Sequence, residues 1–274
     1  MRRLAALAAA LALCALATPA QAQFSEAAPA APHFTAPQAA AFGKTVERDL
    51  AARGVRIALV FRTGRPRKDL PPGIRYTHGA LWVYRDIQTS DGRALHGYAV
   101  YSLFQGDGVR EPRNRSHLSQ DWPTDFVLGS VVDDVAVIVP TPEMQRRLLA
   151  LVDSPAYEAL HNPSYTLVAN PLTPRHQNCD TFMLDLVAAA AWETRNPRQI
   201  RADLVAHFRP SVVRVDPFTR LFAPMFDARV ALDDQHGPIL TATYESIAAF
   251  MRQNHLLSAA YVLRAPLAEA VHRG

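Results

Sequence analysis

The sequence predicts an α+β fold: an antiparallel sheet packed on a central helix that carries a cysteine, followed by a C-terminal α/β extension. Three observations carry this expectation. Hydrophobic residues fill 49% of the 274 positions and charged residues 20%, so the chain can bury a sizeable core and is too apolar for a disordered tail. Residues 74–87 and 97–105 alternate in character with period two, and Ser90-Asp91-Gly92 between them is a turn signal, the pattern of paired antiparallel strands. From Asn178 onward the period changes to that of a helix, with Met183, Leu186, Val187 and Ala190 on the side of Cys179.

The first 22 residues read as a signal peptide. Arg2 and Arg3 form a positive start, residues 4–16 form an Ala/Leu stretch shorter than the roughly 20 residues of a membrane span, and Ala20-Gln21-Ala22 is a cleavage pattern. The expected mature chain starts at Gln23, has no transmembrane segment, and is periplasmic or secreted. A lipid anchor on Cys14 is disfavoured by the bulky Leu13 before it. Removing Arg2 and Arg3 from the 29 basic residues leaves 27 against 25 acidic ones, a net charge of +2 that gives no reason to expect nucleic acid as a partner. Cys179 is then the only cysteine of the mature chain, so an internal disulfide is excluded.

Residues 23–37, rich in Ala and Pro, read as a flexible linker. Residues 38–53 place Ala41, Phe42, Val46 and Leu50 at helical spacing, with Gly54 as a stop. Residues 55–62 form a strand leading into the basic loop 65–72, read as a solvated face. In the run 74–87, Tyr76, His78, Ala80, Trp82 and Tyr84 share one face, and Thr77, Gly79, Leu81 and Val83 the other. The strand 97–105 returns beside it. Residues 106–123 read as a long loop of the lid or substrate type, residues 135–139 as a strand and 141–152 as a helix. After residue 197 the expected elements are a short helix, strands at 229–232 and 258–263, and a helix at 244–254. Asp133-Asp134 and Asp233-Asp234 read as solvated turn pairs, and Arg198, Arg201 and Arg209 as surface charge.

Cys179 follows Asn178, a residue type that caps helices, so its sulfur belongs at a helix N-terminus, where the dipole favours thiolate while Asp180 opposes it. A histidine partner would tip that balance. His78 is costly at a mid-strand position that an apolar residue could fill, and so needs a partner of its own.

The segments Thr77-His78-Gly79-Ala80-Leu81 and Asn178-Cys179-Asp180-Thr181-Phe182, in that order, resemble the base-histidine strand and nucleophile helix of circularly permuted papain-fold proteins, the group of the NlpC-type cell-wall peptidases and lecithin:retinol acyltransferase. The chain as a whole resembles an exported bacterial family known as domain of unknown function 2145. The resemblance implies a papain-like core over residues 38–196 with the extension 197–274 packed on it. It implies Cys179 as the nucleophile, His78 as the base, and a third residue on the next strand orienting the ring: Ser102, or else His96 at the strand edge. Trp82 beside His78, Tyr165 upstream of the helix, and Asn178 are the candidate substrate contacts, although Asn178 also suits a plain capping role.

The expectation is an exported thiol-dependent enzyme of acyl transfer, an amidase, peptidase or acyltransferase, acting on a peptide, amide or acyl group in the cell envelope without a cofactor. The alternative is a non-catalytic binding or structural protein of the same fold. His176 and Cys179 have the spacing of a metal pair, but no second such pair accompanies them and a structural zinc needs about four ligands. No phosphate-cradling glycine loop and no Gly-x-Ser-x-Gly elbow occurs.

Overall fold

The computed structural model describes residues 32–88 and 92–266. The expected leader with Cys14, the linker up to residue 31, and Ser90 and Asp91 of the expected turn lie outside the described residues.

Helix α1 (Ala36–Ala52) starts inside the expected linker. Thr35 and Gln38 close a reciprocal capping box, Pro37 occupies the first turn, and Phe34 packs its ring 5.8 Å from Phe42. Strand β1 (Ile57–Arg62) is buried along its whole length and occupies the middle of a six-stranded sheet. Strand β2 (His78–Gln88) pairs antiparallel with it from Ile57 opposite Val83 to Arg62 opposite His78. Strand β3 (Ala94–Gln105) returns along β2 in a ladder from Leu81 opposite Tyr101 to Gln88 opposite Ala94. Gly92, at φ +82°, supplies the left-handed backbone beside the turn.

The expected long loop contains a strand. β4 (Ser116–Asp121) pairs with β3 and forms one edge of the sheet. Its sequence Ser-His-Leu-Ser-Gln-Asp is mostly polar because an edge strand covered on few sides needs little apolar surface, which hides it from a hydrophobicity reading. Helix α2 (Pro123–Leu128), strand β5 (Asp134–Pro140), and helices α3 (Pro142–Val152) and α4 (Ala156–Ala159) follow. Helix α5 (Cys179–Ala191) is the central helix that the spacing predicts, buried from Cys179 through Ala190.

The extension differs from expectation in two respects. Its last strand, β8 (Leu257–Arg264), pairs with β5 and completes the main sheet in the order β4-β3-β2-β1-β5-β8, with every pairing antiparallel. The extension therefore belongs to the core rather than merely resting on it. Residues 229–232 are irregular instead of a strand, because their backbone bonds the segment around Thr166: Leu167 N–H donates to the Arg229 carbonyl at 2.8 Å and Ala231 N–H to Thr166 Oγ1 at 2.9 Å. Between α5 and β8 lie α6 (Pro197–His207), a small ribbon of β6 (Ser211–Val213) with β7 (Ile239–Thr241), α7 (Pro217–Phe226) and α8 (Tyr244–Gln253).

Both faces of the sheet are covered, and strand alternation assigns each residue to one side. Leu59, Phe61, Leu81, Val83 and Leu103 join α3, α5 and α8 in one core. Ala58, Val60, Ala80, Trp82 and Val100 join α1 and Phe126 of α2 in the other. Tyr76 precedes β2 and packs its ring 5.4 Å from Tyr244 on the α5 side, so it does not share the face of Ala80 and Trp82 as the alternation predicts.

Candidate functional site

The N-terminus of α5 is held by its own sequence. Asn178 Oδ1 accepts from the Thr181 N–H at 2.9 Å, Thr181 Oγ1 accepts from the Asn178 N–H at 2.7 Å, and Asn178 Nδ2 donates to the Leu167 carbonyl at 3.0 Å. Asn178 is thus a cap and a tether, and its donor and acceptor groups are both spent on the fold. One residue earlier, Gln177 accepts from Asn162 N–H at 2.8 Å and donates to Asp185 Oδ2 at 2.7 Å. Arg201 of α6 closes this network by donating to Asp185 and to the Pro171 carbonyl. Burial raises the Asp185 carboxyl above its ordinary range, and the Arg201 cation opposes that shift.

The sulfur of Cys179 is 7% exposed as a residue and belongs to the α5-side core. It lies 3.9 Å from the Thr77 carbonyl oxygen and 3.7 Å from Asp180 Oδ1, contacts that a protonated thiol makes as a donor.

His78 does not join it. β2 presents Gly79 to α5, so closely that a Cβ there would meet Met183 Cε at 1.9 Å and Asp180 Oδ1 at 2.8 Å. His78, the adjacent residue in the strand, therefore leaves the sheet from the opposite face. Its ring stacks on Phe104 at 5.3 Å with an 11° interplanar angle and lies 5.7 Å from Phe126 of α2. Burial, and then the Arg62 cation, lower the imidazole well below its ordinary pKa, so it is neutral. The expected pairing of Cys179 with His78 is corrected on this point: the sheet stands between the two side chains.

Ser102 does share the face of His78, as strand alternation requires, but it does not orient the ring. Ser102 Oγ and His78 Nε2 are both buried without a hydrogen-bond partner. His96 lies at the exposed end of the hairpin and pairs with Asp86, remote in strand register from His78. Trp82 is fully buried and packs edge-on against Phe126 at 5.6 Å, which makes it a core residue and not a substrate contact. Tyr165 is buried in the α5-side core, bridged through its backbone to Gln177.

Several polar groups that read as surface are engaged. Arg67 of the basic loop donates to both oxygens of Asp134, at 2.9 and 2.6 Å. His176 links Ser164 Oγ at 2.8 Å to Asp233 Oδ1 at 2.7 Å, and Arg175 pairs with the same carboxylate. Asp234 accepts from the Asn170 N–H at 2.9 Å. Arg201 is the partner of Asp185, not surface charge. His161, absent from the residues that the sequence singles out, lies on the α5 side with its ring 6.2 Å from that of Phe182 and Nε2 3.0 Å from Ser116 Oγ. No spacing signal marks it, since it sits in a loop between proline-bounded turns. Among the described residues, no helix is long and apolar enough to cross a membrane.

No curated protein and no solved structure matches the chain. The profile of a family described as an uncharacterized protein conserved in bacteria, domain of unknown function 2145, matches residues 49–251, from the end of α1 through most of α8. That span holds β1 to β5, the Cys179 helix and His78, and on it the chain belongs to the domain of unknown function 2145 family.

Proposed function

We propose that this is an exported protein of the cell envelope that keeps a permuted papain-like layout for a binding or structural role, with Cys179 as part of the packing of α5. A cysteine-bearing helix against an antiparallel sheet supports the papain-like reading, and the Ala20-Gln21-Ala22 pattern supports export. The observation that carries the non-catalytic role is the placement of His78 on the far face of the sheet from α5. General-base catalysis needs the imidazole within hydrogen-bond reach of the thiol, directly or through one water. Here a layer of backbone intervenes.

The test is the pH dependence of Cys179 alkylation by iodoacetamide in the folded protein. The binding role expects slow labelling with an ordinary thiol profile, unchanged by His78→Ala. A depressed midpoint that returns to the ordinary range in His78→Ala would instead establish the thiol enzyme of acyl transfer.

A further inference from the structure

Helix α7 is built against the usual rule for a surface helix. Of its ten residues, Pro-Phe-Thr-Arg-Leu-Phe-Ala-Pro-Met-Phe, only Thr219 and Arg220 are polar. Pro217, Leu221, Pro224 and Met225, at the i, i+4, i+7, i+8 spacing of one helical stripe, are all exposed, Leu221 by 68% and Met225 by 74%. A stripe at this spacing normally faces a core.

The charges around the stripe have one sign in excess. Between residues 209 and 229 stand Arg209, Arg214, Arg220 and Arg229 against Asp216 and Asp227. Asp216 caps α7 through the Thr219 N–H at 2.9 Å, and Asp227 pairs with Arg229. Arg214, between β6 and α7, and Arg209, before β6, are exposed. Exposed apolar side chains flanked by cations match an interface of hydrocarbon and anionic headgroups, in which the apolar stripe sinks to the acyl boundary and the arginines meet phosphates.

We propose that α7 docks the protein on an anionic phospholipid surface of the cell envelope. This rests on the binding role and supplies its partner.

The test is sedimentation of the mature chain with vesicles of equal phosphatidylglycerol and phosphatidylcholine, beside vesicles of phosphatidylcholine alone. Binding to the anionic vesicles is expected to weaken with salt and to fall at least tenfold in Leu221→Glu/Met225→Glu. In Arg209→Gln/Arg214→Gln, which keeps the stripe, it is expected to fall several-fold. Melting temperatures of the variants show whether a loss reflects unfolding, and the second pair keeps the outcome readable should the first unfold. Absence of binding, or equal binding to both kinds of vesicle, overturns the proposal. So does a dimer of the free protein that the Leu221→Glu/Met225→Glu variant dissociates, since a second copy would then be the occupant. Cys179 alkylation measured on the same samples reports on the binding role separately: a His78-dependent depressed midpoint defeats that role whatever the vesicles show.

Discussion

Asp121 closes the edge strand β4 beside α2, in surroundings that disfavour its charge. Burial first, and then the neighbouring Asp125, push its pKa up to about 6, against the Ser119 hydroxyl and the Arg62 cation. The folded protein therefore holds the Asp121 proton at pH values where the unfolded chain has released it. Stability falls as pH rises from the ordinary carboxylate value toward about 6, and above that the deficit is constant. Asp121→Asn removes the charge and keeps the shape. It is expected to raise the melting temperature at neutral pH and to change little in acid, below both pKa values. A loss of stability at neutral pH would mean that the ionised carboxylate stabilises the fold there, and would refute this account. Nothing in the sequence marks Asp121, because the shift comes from α2 folding over the strand end. His78 shows the same limit from the other direction: its alternation within β2 was legible, but which face α5 covers is decided by Gly79, where the helix comes too close for any side chain.

At the scale of the element, α5 shows what local sequence can specify. Asn178 and Thr181 form the cap from residues three apart, and the apolar spacing after Cys179 marks a buried helix, so its start and its character were both legible. The bond that anchors it sideways was not. Asp185 lies in the middle of α5 and Arg201 on α6, 16 residues later, with side chains only 3% and 14% exposed. On sequence, an Arg among Arg198 and Arg209 reads as solvent-facing, and only the packing of α6 on α5 turns it inward. Removing one member of such a pair strands the other charge in the interior, at a typical cost of about 3–5 kcal/mol, whereas replacing both by apolar residues is often neutral or stabilising. Arg201→Met is therefore expected to destabilise strongly in urea titrations, and Asp185→Leu/Arg201→Met to recover most of the loss. Equal destabilisation by Arg201→Met and by Asp185→Leu/Arg201→Met would show that the stranded Asp185 charge is not what the single variant costs, and would refute this account.

For the molecule as a whole, the question is where the folding unit ends. The family match stops at residue 251, and the papain-like resemblance implies a core over residues 38–196 with an extension packed on it. The sheet divides the chain differently. β5 is buried at every position, and its outer neighbour is β8, paired from Asp134 opposite Arg264 to Pro140 opposite Leu257. The strand itself was legible as a short apolar run, but its partner was not, because the whole segment from Thr141 to Leu256 separates the two strands and no local signal states which edge a strand will join. A chain ending after Gln253 keeps all the other elements and loses this one strand. Val135, Val137 and Val139 would then lie on an open edge with unpaired backbone N–H and C=O groups, the arrangement that templates aggregation. Such a truncation is expected to abolish a single cooperative thermal transition and to leave the protein largely insoluble, whereas ending the chain after residue 266, beyond β8, should preserve both. A soluble 1–253 chain that melts cooperatively at the full-length temperature would make β8 dispensable and restore the view of the extension as an appendage.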